Sequence, residues 1–473
     1  MDINQKNKKS AGEVLLFLLA FTLIISVMNS TMFNVVLPVI SDEFQLSTSQ
    51  VSWIITSYMI VYAIGTVTYG KLTDKYNLKA LMTFGLLVFS LGSILGLFAN
   101  NYLLIIVGRI VQAIGSSVIP AVGVIIPVRY FPPEKRGRAI GTSAIGLALG
   151  TAIGPIVAGF VTSAWSWQVL FVIPIISLFT LPFYRKYLDD KIDKKEDTER
   201  IDFIGGIFLG GSVAIILLAL TKGILWYVLA GAVLLILFVI RIRYATDPFI
   251  KPSIFKNKQY VFGLVLTFVM SAITYSIPFI TPQMLSQTNH LSSASIGLIM
   301  LPSALITAFL GLKGGKLADE KGNPFLVYTA ATLLIICFLC LSSVVSKSPF
   351  FIAFFLIFGI LGQSFMQIAL SNTVSQTLTK EQTGIGLGLF SMLIFISSAS
   401  STATLGKVLD LRTSSFHLNP FLYNSTAFIY SNIFIILAIL VVLMTILYYM
   451  QIGRGTKKTV KGTKRERLTP QQK

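Results

Sequence analysis

The chain has 473 residues, of which 54% are hydrophobic and only 12% charged, and its mean hydropathy is +0.78; so little polar surface excludes a water-soluble globule. Its formal net charge is +19, from 38 Lys and Arg against 19 Asp and Glu, an excess that in so apolar a chain points to membrane topology rather than to nucleic acid. Apolar runs of roughly 20 residues, each able to cross a hydrocarbon core about 30 Å thick, recur between short polar breaks. Fourteen are read, at 14–37, 48–70, 80–99, 102–128, 138–163, 168–185, 203–221, 224–242, 259–283, 292–315, 325–345, 348–371, 384–407 and 427–450. The expected fold class is therefore all-α, an integral membrane protein of fourteen helices. The first run is too long for a signal peptide and carries Asn29, Ser30 and Asn34 where small cleavage-site residues would stand, so it is expected to remain. Cys337 and Cys340 lie inside the eleventh run and read as small core residues; no metal site and no cofactor is expected.

Alternating the runs from an inside N-terminus collects Lys6, Lys8, Lys9, Lys71, Lys75, Lys79, Arg129, Lys135, Arg136, Arg138, the 185–200 cluster, Lys251, Lys256, Lys258, Lys316, Lys321 and the tail from Arg454 on one side. The other side receives Lys222, Lys347, Lys407 and Arg412. That asymmetry predicts both termini in the cytoplasm, with the basic tail held near anionic lipid rather than on nucleic acid.

The octapeptide "GKLTDKYN" at 70–77 returns as "GKLADEKG" at 315–322, and "EKRGRAIG" at 134–141 is echoed by "EQTGIGLG" at 381–388. Duplication accounts for both. The expected organisation is an N-terminal six-helix half (1–186), a charged linker with two extra helices (187–258), a C-terminal six-helix half (259–450) and a basic tail (451–473). Parallel repeats of this kind build many secondary transporters, with the substrate site between the halves. Residues 65–71, "GTVTYGK", mimic a phosphate-binding loop, but Leu72 replaces the required Ser or Thr and the stretch is a membrane helix, so no nucleotide site is read there.

"GKLTDKYNLK", "GRIVQAIG" (108–115), "GTAIGPIVAG" (150–159), "NVVLPVI" (34–40) and "VSWIITSY" (51–58) together resemble the major facilitator superfamily over nearly the whole chain. The likeness is to its fourteen-helix drug:proton antiporters, in particular the Gram-positive tetracycline and multidrug exporters. The resemblance implies a cytoplasmic latch at Gly70, Lys71 and Asp74, with Asp319 as its second copy, a proton-coupling arginine at Arg109, and an exporter's fifth helix at Gly150, Gly154, Pro155 and Gly159. Asn77 stands where the family has a second glycine and is expected in a left-handed turn. The blander alternatives are that these loops are basic stop signals and that the glycines serve only close packing.

Arg109 falls about seven residues into its run, some 10 Å along a helix, too deep to reach water easily; buried cations of this kind mark functional sites. Every Asp and Glu falls in a loop, a tail or the end of a run, and related exporters' membrane acids are replaced here by Asn29 and Ser30 in the first helix and by Ser398 in the penultimate one. Without buried negative charge, neutral, zwitterionic or anionic substrates are favoured over cations. Asp42 and Glu43, at the outer end of the first run, are the best remaining proton carriers. The expected substrate wall comprises Ser26, Asn29, Ser30, Asn34, Tyr58, Tyr62, Gln112, Ser116, Tyr275, Phe279, Gln363 and Gln367. The expected function is proton-driven efflux of amphipathic drugs from a bacterium by a monomer in the plasma membrane. Alternatives are a tetracycline–metal antiporter and, in another class, a membrane sensor or scaffold; no catalytic constellation suggests an enzyme.

Overall fold

The computed structural model describes residues 3–188, 201–379, 382–411, 417–420 and 427–453. The charged linker from 189 to 200, Glu381, Arg412 and the basic tail from 454 lie outside the described residues. Fourteen helical spans among the described residues are long and apolar enough to cross a membrane. They are α1 (Ala11–Glu43), α2 (Thr48–Lys75), α3 (Leu78–Leu97), α4 (Tyr102–Pro127), α5 (Ala139–Ala164), α6 (Trp167–Tyr187), α7 (Phe203–Lys222), α8 (Leu225–Tyr244), α9 (Lys258–Asn289), α10 (Ser293–Gly311), α11 (Asn323–Val344), α12 (Pro349–Ser375), α13 (Thr383–Asp410) and α14 (Phe428–Gln451). Strands are absent from the described residues.

Helix starts follow from local polar chemistry. Ser47 and Gln50 form a reciprocal capping box ahead of α2, and the side chains of Asn77, Asn101, Asp202 and Asn257 accept first-turn N–H groups of α3, α4, α7 and α9. Stops use left-handed residues: Gly223 (φ 71°) after α7 and His290 (φ 53°) after α9. Two expectations are corrected. Asn77 is not left-handed; at φ −61° it is an extended N-cap. Asp74 and Asp319, expected in loops after the second and tenth runs, are helical, because α2 stays helical to Lys75 and the helix of α10 runs on to Lys321.

Within the N-terminal half α5 lies along α1 and α3 along α4; within the C-terminal half α12 lies along α10 and α11. The α5 glycines make the first contact possible. A Cβ on Gly146 would stand 2.9 Å from the Ala20 carbonyl and one on Gly150 would stand 2.7 Å from the Ile24 carbonyl, while one on Gly154 would overlap the Thr31 hydroxyl. Gly150→Val is therefore expected to force α1 and α5 apart at about 1–3 kcal/mol, read as a lower midpoint in thermal unfolding of the detergent-solubilised protein. Gly388→Val, where a Cβ meets nothing within 4 Å, should leave the midpoint unchanged.

An even number of crossings puts the start of α1 and the end of α14 at one face of the bundle, the termini face. Two antiparallel pairs join the halves, α2 with α13 and α5 with α10. Both are tight at the opposite, far face. A Cβ on Gly406 would lie 3.0 Å from Thr48 O, one on Gly159 2.5 Å from Ser293 O, and one on Gly297 2.7 Å from Pro155 O. Carried towards the termini face, the same registers bring Gly70 level with Gly388 and Gly141 level with Gly311. There, among the described residues, Gly70, Gly388 and Gly141 have no atom within 4 Å of a Cβ, and Gly311 meets Ser364 and Thr307 of its own half. The halves are closed at the far face and diverge towards the termini face.

Candidate functional site

Arg109 is fully buried where α1, α2 and α4 meet. Its Nε donates to Ile54 O at 3.2 Å, and its Nη1 to Asn29 O at 3.4 Å and to Gln112 Oε1 at 2.9 Å. The guanidinium is sandwiched between the Phe33 and Tyr58 rings, with centroids 4.3 and 4.1 Å away. Two carbonyls, an amide and two aromatic faces thus share the task a carboxylate would otherwise perform. The network continues from Gln112 Nε2 to Ser93 Oγ at 2.8 Å and from Tyr58 to Ser116 at 2.9 Å. Arg109 Nη2, Ser26 Oγ and both polar side-chain atoms of Asn29 remain buried without a hydrogen-bond partner among the described residues. Such unmet polar groups favour a ligand or water that completes them.

From this cluster an aromatic column leads to the other half. Tyr58 stacks on Tyr62 at 5.5 Å, and Tyr62 meets Phe395 of α13 edge-on at 4.7 Å. In the C-terminal half, Ser271, Thr274, Tyr275, Gln363 and Gln367 line a small cleft with Met270 and Met366.

The structure thus brings together Ser26, Asn29, Tyr58, Tyr62, Gln112, Ser116 and Arg109, and separately Tyr275, Gln363 and Gln367. Phe279 is buried in the core. Ser30 and Asn34 bond to carbonyls of their own helix, those of Val27 and Thr31. Asp42 and Glu43 do not join Arg109: Glu43 lies ten residues beyond Phe33 in α1, about 15 Å along the helix. Asp42 is exposed, and Glu43 accepts a 2.5 Å hydrogen bond from Trp167 Nε1 of α6. Among the described residues no three His, Cys, Asp or Glu gather as a metal site would need.

At the termini face, Gly70 is open, Asp74 and Asp319 are exposed, and Lys71 Nζ donates to Pro248 O at 2.8 Å. That last bond ties the loop motif to the segment after α8. The same segment is held by Asp202, which is 4% exposed and accepts from Gly205 N, Arg241 Nε and Phe249 N. Phe33, Ser93, Phe395 and Asp202 also take part and were not among the residues expected from the sequence. The rings and the serine gave no signal apart from other apolar helix residues, whereas Asp202 ahead of an apolar run is a recognisable N-cap.

The profile of the Major Facilitator Superfamily matches residues 19–402. A protein of Clostridioides difficile named riboflavin transporter RibZ is 26% identical over 396 residues, covering 82% of this chain and 86% of that one. An uncharacterized MFS-type transporter of Bacillus subtilis, YwoD, is 27% identical over 434 residues, covering 87% and 93%. A crystal structure of a peptide transporter, POT, in complex with sulfate superposes with a TM-score of 0.65 at 16% identity, covering 93% of this chain and 95% of that one.

Proposed function

The chain belongs to the Major Facilitator Superfamily, and from that premise we propose that it is a proton-driven exporter of amphipathic, neutral or zwitterionic drugs, working by alternating access in the bacterial plasma membrane with both termini in the cytoplasm. The observation that carries the substrate class is Arg109, buried beside Asn29 and Ser26 with unmet hydrogen-bonding atoms, no carboxylate among its partners, and a column of aromatic rings leading to the other half. Stacked rings with a few polar groups suit planar molecules, and a site lacking buried negative charge disfavours bare cations. One proton crossing 100 mV supplies about 2.3 kcal/mol for the cycle.

In this reading the site is reached from the termini face, where the halves diverge, and Gly70, Lys71 and Asp74 form the gate that closes there, with Asp319 as a weaker second copy. The fifth-helix set Gly150, Gly154, Pro155 and Gly159 holds α5 close to α1 and α10 as the halves rock. Asp42 and Glu43 remain the proposed proton carriers, with Glu43 positioned by Trp167. The protein acts as a monomer.

The likeness to a protein named riboflavin transporter favours one second reading, a carrier of riboflavin or a similarly planar metabolite. A susceptibility panel in an efflux-deficient host, with and without the gene, separates the two when riboflavin accumulation is followed in the same cells. Resistance to several planar drugs with unchanged riboflavin supports the exporter. Changed riboflavin content without resistance replaces it with the second reading.

A further inference from the structure

The helix that carries the termini-face gate is pinned at its other end by an acid from the opposite half. Asp410, the last residue of α13, accepts from Thr48 N at 2.7 Å through Oδ1 and from Ser49 N at 3.1 Å through Oδ2. These are the first two residues of α2. The capping box of Ser47 and Gln50 satisfies the Gln50 N–H but leaves those two donors over. A carboxylate there meets both unmet donors and the positive end of the helix. Next to it, Gly406 lets α13 touch the α2 backbone.

The α2–α13 register that sets Asp410 on the start of α2 sets Asp74, near the end of α2, level with Gly384 in the first turn of α13. The two helices therefore present the same device at both ends: the acid of each faces the N-terminus of the other. At the far face the device is engaged. At the termini face Asp74 is exposed and, among the described residues, nothing lies within 4 Å of a Cβ on Gly384.

We infer that Asp410 is a far-face latch, the reciprocal of Asp74, and that the two engage alternately as the halves rock. Both cannot be engaged while the helices diverge, so losing either charge shifts the balance towards the state that the other holds. The alternation rests on the gating role proposed for Asp74, whereas the Asp410 contact stands without it.

The test is thiol labelling of purified protein in detergent, where both faces are reachable and neither substrate nor proton gradient is needed. In a background carrying Cys337→Ala and Cys340→Ala, Ser52→Cys reports the far-face junction, where Ser52 is fully buried beside Gly406. Gly388→Cys reports the termini face. Asp410→Asn is expected to speed maleimide labelling at position 52 by about ten-fold, the scale of a charge at a helix N-terminus, and to slow it at 388. Asp410→Glu should stay near the parent. Asp74→Asn should move both rates the other way. Unchanged rates in Asp410→Asn, or both rates rising together as in a loosened fold, would overturn the latch. If Asp410→Asn behaves as expected and Asp74→Asn moves nothing, the alternation falls together with the gating role of Asp74.

Discussion

Arg109→Ala is expected to cut transport by about ten- to a hundred-fold while the protein still reaches the membrane, the range for charged hydrogen bonds in a site. The substitution removes the common partner of Ile54 O, Asn29 O and Gln112 Oε1 and the filling between the Phe33 and Tyr58 rings. Three helices lose their shared anchor at once. Arg109→Lys separates charge from shape. An ammonium retains the charge but is a point donor that cannot span carbonyls on α1 and α2 while lying flat between two rings. It should fall well below wild type in uptake by inverted vesicles. Lysine at wild-type activity would reduce the site to a bare positive charge.

Asp74→Asn should cut resistance at equal expression by about five-fold, since a charge at a helix N-terminus contributes on the order of 1 kcal/mol to the closed gate. Asp74 is exposed in this structure and its register partner lies across an open gap, so the variant should fold and insert normally. Asp319→Asn should be milder. Asp319 lies on α10, whose neighbour across the halves is α5, and its own turn already holds the Lys316–Glu320 pair at 3.6 Å. A larger defect from Asp319→Asn in a side-by-side transport assay would reverse the assignment of the gate.

The membrane crossings were legible because apolar length is what the bilayer demands, and each of the fourteen runs coincides with a helix. Their ends were less so. Hydropathy marks the hydrocarbon, whereas a helix continues into water as long as its residues sustain it, and "KLTDK" after Gly70 does so to Lys75. The depth of Arg109 followed from counting along one helix, but its partners did not. They are carbonyls of α1 and α2, and a backbone group has no letter in the sequence. The same reason hid Asp410, which reads as one more charge at the end of a run, and the acceptor of Lys71, the carbonyl of Pro248. Asp42 and Glu43 were correctly placed at the end of α1, yet the length of that helix keeps them from Arg109. The glycines of α5 were legible as a close-packing set, although the sequence did not divide them between α1 and α10.

Substrate exchange coupled to proton movement through a site organised by Arg109 can be followed in proteoliposomes loaded with a pH-sensitive dye under an imposed pH gradient. A drug to which the gene confers resistance is expected to accelerate collapse of the gradient in wild-type liposomes and not in Arg109→Ala liposomes of equal protein content. Collapse at the same rate with and without drug would rule out drug–proton exchange, and equal drug-dependent collapse in Arg109→Ala would rule out coupling through Arg109.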